Sequence, residues 1–319
     1  MQATRRAVID VGTNSIKLLV ADVTGHEVQP VLEESKQTRL GHGFYETRQL
    51  QPKAIADTAQ AVAEFADTAR DQKAASIRIF ATSAARDARN PEELTTAIRD
   101  LSGLRVEIIS GEREAAWAFQ GVTTDPAIAN EPLLLLDVGG GSTEFIVGQA
   151  ATRQFSASFP LGTLRLLENI PHGDPASPQE LAACRKWIRA FLQKEVRPQL
   201  ERALKASSPE TGNPSPPHRL VGTGGTATIL GRMESRLTGF EREQIEAVRL
   251  SAERLQWHVK HLWSLPLESR KQIVGLPPNR ADVILMGAAV YEAILDKFGF
   301  PELRISTRGL RFAAVMEGA

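Results

Sequence analysis

Asp137 ends the apolar run 133–136 and is followed by Val138, three glycines, Ser142, Thr143 and a second acid, Glu144. Glycines without Cβ let backbone N–H groups come within hydrogen-bonding distance of a ligand, and clustered N–H groups make a concavity suited to anions. A carboxylate beside a bound anion is repelled unless a cation lies between them. The stretch therefore points to phosphate together with a divalent metal. Asp137 and Glu144 are the ligands it offers, because Mg²⁺ takes oxygen donors and keeps several of its waters. Another divalent cation would use the same donors.

The same spacing occurs again near the start. Ile9-Asp-Val-Gly-x-x-Ser15 and Leu136-Asp-Val-Gly-x-x-Ser142 align Asp10 with Asp137, Gly12 with Gly139 and Ser15 with Ser142. Each copy begins with an apolar run and leads into another, so each reads as strand, turn, strand. Asp10 is then a pseudo-symmetric acid that could share the work of holding the metal. Backbone N–H groups of Gly12, Thr13, Asn14 and Ser15, and of Gly139, Gly140, Gly141 and Ser142 with the Thr143 hydroxyl beside them, would cradle phosphate from opposite sides. Chance similarity of two glycine turns is the alternative to duplication, and an acid capping its own turn is the alternative role for either Asp.

Elements that could hold these turns follow along the chain. Residues 16–23 and 28–36 continue the opening strand as a meander. Ile55, Ala59, Val62, Phe65 and Ala69 recur at helical spacing over 52–73. Residues 76–81 form a strand that meets a helix at Thr82-Ser-Ala-Ala-Arg86, with Thr82 or Ser83 as N-cap. Asn90-Pro-Glu-Glu93 caps and opens a helix, residues 105–109 form a strand, and Ser110-Gly-Glu-Arg-Glu114 starts a further helix. The polar stretch 123–131 reads as the crossing between domains. In the second half, 152–159 is a strand, Ser177-Pro-Gln-Glu180 a capping box, 207–218 a surface loop, and Leu220-Val-Gly-Thr-Gly-Gly-Thr226 a strand entering a glycine turn. Ser251 caps a helix to Trp263, a long helix covers 280–298, and the strand 303–306 precedes a closing helix, 309–316. The expectation is an α/β fold of two domains, 1–124 and 125–319, with the last helix, about 307–319, packing back on the first.

With 319 residues, 42% apolar and 24% charged, the chain has room for two cores. Its 38 basic and 38 acidic residues cancel, which excludes bulk attraction to nucleic acid or membrane but not a local basic pocket. Cys184 is the one cysteine, so no intramolecular disulfide forms and a reducing compartment fits. Asp10 interrupts the basic start before a signal-peptide core can form, and no apolar run approaches bilayer length. A cytoplasmic location is expected; pairing as a homodimer is left open.

Together these pieces resemble the actin-like ATPase superfamily, through the two phosphate turns and the late turn 222–226. Within it, Val8-Ile-Asp-Val-Gly-Thr-Asn-Ser-Ile-Lys-Leu-Leu-Val20, Ala81-Thr-Ser-Ala-Ala-Arg86, Ile109-Ser-Gly-Glu-Arg-Glu-Ala115 and Asp137-Val-Gly-Gly-Gly-Ser-Thr-Glu144 resemble the exopolyphosphatase / guanosine pentaphosphate phosphohydrolase family. Pro160-Leu-Gly-Thr-Leu-Arg165 and Arg280-Ala-Asp-Val-Ile-Leu-Met-Gly287 extend the likeness in the same order over essentially the whole chain. The resemblance implies two duplicated actin-like (ribonuclease H-like) domains facing across a cleft. It is to the short, two-domain form, because long members carry a further helical region with a His-Asp pair and no such dipeptide occurs here. Gly222-Thr-Gly-Gly225 is only a generic match, so ATP binding is not implied.

The resemblance also implies roles. Glu114, directly before Ala115, would be the general base that deprotonates water for in-line attack on a terminal phosphorus. Glu112 competes, since acids in a first turn also favour the helix dipole. Thr82 and Arg86 would contact phosphate, Arg86 as a charge-assisted clamp, although the residues alone allow a surface ion pair equally. Arg280 matches a further family arginine. Cys184 lies on an apolar helical face and reads as core. His258 and His261 share a helix face with no acid or cysteine nearby to complete a metal site, and read as surface or core histidines. The expected substrate is inorganic polyphosphate first and guanosine pentaphosphate second. A phosphotransferase and a non-enzymatic polyphosphate or alarmone sensor are the rival functions.

Overall fold

The computed structural model describes residues 2–206 and 218–318, so the expected loop 207–218 lies outside the described residues apart from His218. The chain divides into two units, one running to Asp125 and resuming at Arg308, the other spanning Pro126–Thr307. The first unit holds β1 (Thr4–Val11), β2 (Ser15–Thr24), β3 (Glu27–Gln37), β4 (Ser76–Ala81) and β5 (Val106–Ile108), in the order β3-β2-β1-β4-β5. The first three form an antiparallel meander, and β4 and β5 run parallel to β1. Ala7, Ile9 and Val11 join a core closed by Ile55, Val62 and Phe65 of the helix Pro52–Asp71 and by Leu94 and Ile98 of the helix Pro91–Ser102. Val8, Leu19 and Phe80 face the other way, onto Trp117 of the helix Gly111–Val122 and Phe312 of the helix Leu310–Glu317. A strand covered on both faces needs this nearly unbroken apolar run. Asp10, buried at 4% exposure, is the polar exception in it.

The second unit holds β6 (Leu133–Val138), β7 (Thr143–Gln149), β8 (Thr152–Phe159), β9 (Arg219–Thr223), β10 (Arg249–Ser251) and β11 (Glu302–Ile305). Their order is β10-β11-β9-β6-β7-β8. Without β10, an antiparallel edge strand, this repeats the first sheet: a three-stranded meander with two further strands parallel to its first. Leu134, Leu136, Phe145 and Val147 pack in one core with Cys184 and Ile188 of the helix Pro178–Phe191, Val259 and Leu262 of the helix Ala252–Ser264, and Leu285 and Ala289 of the helix Ile284–Phe298. Burial pushes the Cys184 thiol up to about 12, so it packs as an apolar group and does not ionise near neutrality.

Capping follows the expected residues at Ser110, Ser177 and Ser251, whose hydroxyls accept from the backbone N–H three residues on. Asn90 differs. Its Oδ1 accepts from Leu50 N at 2.9 Å and its Nδ2 donates to Leu50 O at 3.1 Å, so the side chain staples a distant loop and leaves its own helix uncapped. The long helix starts later than the expected 280. Pro278–Arg280 is a single tight turn, Asp282 Oδ1 accepts from Val283 N at 2.9 Å, and the α-helix begins at Ile284. A short acidic side chain that bonds the next N–H competes with helical pairing there. The helix Pro178–Phe191 runs on through a wide π turn, Leu192–Val196, into Arg197–Ala206. Among the described residues no helix is long and apolar enough to cross a membrane.

Candidate active site

The residues singled out by their chemistry fall into two groups, one in each unit. In the second unit, register pairs Asp137 with Glu144 and Val138 with Thr143. Directly opposed residues on antiparallel strands share a face, so the two carboxylates are neighbours. Gly139 N donates to Ser142 O at 2.9 Å and closes the turn. The loop is then tied down by the segment after β8. Thr163 N donates to Gly139 O at 2.9 Å, Leu164 N and Arg165 N to Gly140 O at 2.9 and 3.1 Å, and Arg165 Nε to Gly141 O at 2.9 Å. Gly162 lets this segment approach, since a Cβ there would come within 2.4 Å of Gly140 O. A trans peptide points its N–H opposite to its C=O. Tying these three carbonyls therefore aims the N–H groups of Gly140, Gly141 and Ser142 the other way. Among the described residues nothing accepts from Gly140 N or Gly141 N.

Glu144 is 1% exposed, and its Oε1 accepts from Ser142 Oγ at 2.8 Å and Ser158 Oγ at 2.7 Å. Thr143 Oγ1 donates to Leu161 O and Thr226 Oγ1 to Val138 O, so the loop is anchored at both of its ends as well. Beside Asp137 lies Thr223 of β9, followed at once by the helix Gly224–Glu234. Gly224 has φ +80°, and a Cβ on it would stand 2.2 Å from Asp137 Oδ1. Only glycine fits both that backbone and that approach. The next position is also close: a Cβ on Gly225 would be 3.1 Å from Arg280 Nη2. Arg280 thus comes to the glycine turn near Asp137. Tyr291, fully buried, donates its hydroxyl at 3.4–3.5 Å to Thr223 O and Leu136 O. Burial, and then the charge of Asp137, push its phenol well above the usual tyrosine range, so it remains a neutral donor.

The first unit repeats the frame. Asp10 faces Lys17 across β1 and β2, and Gly12 N donates to Ser15 O at 3.1 Å. Here too the segment after the third strand ties the loop. Gly41 N donates to Thr13 O at 2.8 Å, and Thr38 N and Arg39 N to Asn14 O at 3.3 and 3.1 Å. In both loops the first amide, of Gly12 or Gly139, closes the turn, so the expected cradle consists of the amides after it. Asn14, 4% exposed, accepts at Oδ1 from Gln37 Nε2 at 3.1 Å.

Thr82 follows β4, its N donating to Val11 O at 3.2 Å, and Arg86 N donates back to Thr82 O at 3.0 Å. The short helix Ser83–Asp87 turns Arg86 so that Nη1 donates to Glu114 Oε2 at 2.8 Å and to Ile109 O at 3.2 Å. Glu114 lies in the first turn of its helix with a side chain only 11% exposed, whereas Glu112 is exposed. Arg86 therefore has an ion pair, as the residues alone allowed, but a half-buried one with the carboxylate expected to be the base.

Several contributors escaped sequence reasoning: Gln37, Ser158, Gly162, Arg165, Thr226 and Tyr291. Gly162, Arg165 and Thr226 sit in stretches that carried a resemblance, which was the available signal; the others bond across 14 to 155 residues of sequence and leave no local pattern. His258 is a buried core histidine, one of the two readings given for it, but an acid does lie beside it: its Nε2 is 2.7 Å from Glu234 Oε2, at the end of the helix Gly224–Glu234, and Arg254 holds the same carboxylate. Among the described residues no group of three or more His, Cys, Asp or Glu is arranged to hold a metal, so an ion at Asp137 and Glu144 would need further oxygen donors beyond that carboxylate pair. Two facing carboxylates fit a cation that keeps waters and takes phosphate oxygens.

The Ppx/GppA phosphatase family model matches residues 19–317. The chain is 33% identical to exopolyphosphatase 2 of Mycobacterium tuberculosis over 320 aligned positions, which cover 96% of each. Among solved structures it is similar to an exopolyphosphatase from Cytophaga hutchinsonii, with 25% identity, a TM-score of 0.85, and 97% and 96% of the two chains covered. It is similar also to the Ppx/GppA family member of Aquifex aeolicus, with 26% identity, a TM-score of 0.76 and 99% and 97% covered.

Proposed function

The chain belongs to the Ppx/GppA phosphatase family, and on that premise we propose that it removes terminal orthophosphate from inorganic polyphosphate, with guanosine pentaphosphate as a second substrate. It is a hydrolase acting on phosphoanhydride bonds. The observation that carries the choice of a phosphate chain is the tied loop after Asp137: its carbonyls are held from behind, and its amides are turned toward whatever lies in front. Amides so aimed bind oxyanions without needing net positive charge, which suits a chain whose charges cancel.

In this reading each group contributes to phosphoanhydride hydrolysis. The amides of 140–142 and of 14–15, with Arg280, grip phosphate oxygens. Asp137 and Glu144 would hold Mg²⁺ or another divalent cation, with Asp10 as the pseudo-symmetric acid. When bound, the ion neutralises phosphate charge as it develops. Glu114 takes a proton from water, held in place by Arg86. The water oxygen forms a new P–O bond, the bridging P–O bond breaks, and the chain leaves one phosphate shorter. The buried thiol of the single cysteine suits a reducing compartment, and the proposed location is the cytoplasm.

The deciding measurement is orthophosphate release from polyphosphate and from guanosine pentaphosphate with Mg²⁺, wild type beside Glu114→Gln. A lost general base should cost about 10²–10⁴ in kcat while polyphosphate still binds. Equal release by both proteins would sink the role given to Glu114. Tight binding with no release by the wild type would favour a sensor.

A further inference from the structure

We infer that Gln37 is a positioning residue: it orients the Asn14 amide so that Nδ2 donates to a phosphate oxygen of the substrate. An asparagine side chain offers an acceptor on one atom and donors on the other, and its partners decide which way it faces. The Gln37 Nε2 group can only donate, and it meets Asn14 Oδ1 at 3.1 Å. The nitrogen is thereby turned away from Gln37. Asn14 Nδ2 is buried and has no hydrogen-bond partner among the described residues. A buried donor without an acceptor is costly, and buried polar groups in folded proteins are nearly always paired.

The placement indicates what the missing acceptor is. Asn14 sits in the loop whose carbonyls at Thr13 and Asn14 are already held by Gly41, Thr38 and Arg39. Gln37 ends β3 and pairs in register with Ser15, so residues 37–41 both tie the loop backbone and set the amide. The Nδ2 donor belongs to the same loop as the amides of Asn14 and Ser15, and the ligand those amides suit is an oxyanion. An unprotonated phosphate oxygen accepts and does not donate, so it matches a fixed N–H donor. An amide also does not titrate, so its grip holds across the pH range in which phosphate itself changes charge. The inference rests on the phosphate-chain reading above and deepens it: the first unit would read the terminal phosphate through a neutral donor, with its orientation locked by a second amide.

Gln37→Glu tests it. Near neutral pH the introduced carboxylate can only accept, so Asn14 must turn to donate Nδ2 to it and present Oδ1 to the substrate. KM for polyphosphate should then rise about tenfold with a much smaller change in kcat. As pH falls toward the ordinary glutamate range, about 4.3, the introduced group takes up a proton and can donate to Oδ1 again. The ratio of variant to wild-type KM at the same pH should then return toward one. An unchanged KM at neutral pH overturns the inference. So does a defect of the same size at every pH, which would mark a merely structural role. A second measurement separates this from the proposed activity and does not depend on the variant folding. In the ¹⁵N-labelled wild type, the Asn14 side-chain N–H resonances should move downfield as inorganic phosphate or tripolyphosphate is added. If the wild type hydrolyses nothing but these resonances move, the activity reading fails and the inference stands. If the resonances stay still at concentrations that shift other residues of the loop, or if neither anion binds, the inference fails.

Discussion

The β1–β2 and β6–β7 hairpins share one frame and carry opposite chemistry. Both put an aspartate at the same place before the turn, close the turn by a glycine N–H to a serine carbonyl, and have their loop carbonyls tied by the segment after the third strand. The residue facing the aspartate differs: Lys17 opposite Asp10, Glu144 opposite Asp137. The tie differs too. In the second unit backbone contacts across Gly162 are joined by Arg165 Nε on the Gly141 carbonyl, whereas in the first Gln37 contacts the side chain of Asn14, which occupies the place of Gly141. The parallel strands show the same split. Registers that set Phe80 beside Asp10 and Thr223 beside Asp137 make Ala81 the counterpart of Gly224. A duplicated frame keeps the aim of the backbone, and its side chains divide the labour. On the proposed function, cation binding falls to the second unit and base chemistry to the first, where Arg86 and Glu114 meet.

Between the two hairpins, the largest contrast should come from their aspartates, with the loss at Asp137. Asp137→Asn is expected to lower phosphate release by about 10²–10³, the usual scale for removing a group that stabilises developing charge, and to raise the Mg²⁺ needed for half-maximal rate. Asp10→Asn, facing a lysine instead of a second acid, should cost about tenfold or less, with little change in the Mg²⁺ requirement. Chelation of divalent ions should abolish release in the wild type. Equal losses and equal Mg²⁺ shifts in the two variants would break the division.

The next contrast is between counterparts on the parallel strands. Gly224→Ala forces an alanine to φ +80° and drives its Cβ to within 2.2 Å of Asp137 Oδ1. The left-handed backbone alone costs about 1–2 kcal/mol, and the carboxylate must move, so activity should fall by about 10²-fold through loss of positioning. Ala81→Gly, in the matching place, should cost roughly 0.5–1 kcal/mol of stability and leave turnover nearly intact. Denaturant unfolding beside phosphate release separates the two. Full activity in Gly224→Ala would mean that Asp137 tolerates displacement and is not held for catalysis.

How much of this was legible beforehand depends on the reach of each interaction. Both hairpins, their doubled spacing and the fold class were readable, because strand, turn and strand follow one another directly, over 4–24 and 133–149, and leave an apolar pattern. Glu114 could be preferred to Glu112 only through resemblance, since both fall in one helical turn; burial of one and exposure of the other is a tertiary fact. The ties on the loops were hidden for the same reason. Ser158 and Tyr291 act on Glu144, Leu136 and Thr223 through contacts that no local sequence pattern encodes. Asn90 carried a correct capping signal and spent its side chain on Leu50, a competition that propensity cannot see.

The smallest expected effect concerns stability, and it separates the units by pH. His258 in the second unit is 3% exposed, and burial lowers its pKa below the usual histidine range despite Glu234 beside it, with Arg254 and His261 adding to the lowering. As pH falls below about 6.5, the unfolded chain takes up a proton that folded His258 refuses, so stability present above that pH is lost until the lowered folded value is reached. Glu234, held below the ordinary carboxylate range chiefly by Arg254, adds its own loss only at pH below its ordinary value of 4.5. Between pH 7.5 and 5.5 the histidine effect therefore stands apart. Amide exchange should quicken in the helix Ala252–Ser264 and not in the helix Gly111–Val122, with a fall in Tm of about 1–3 °C. His258→Gln keeps a donor for Glu234 and removes the titration, so most of that slope should vanish, with a remainder from His218, whose pKa burial also lowers. A variant with the wild-type slope would clear His258 of the effect, and earlier opening of the first unit would reverse the expected order.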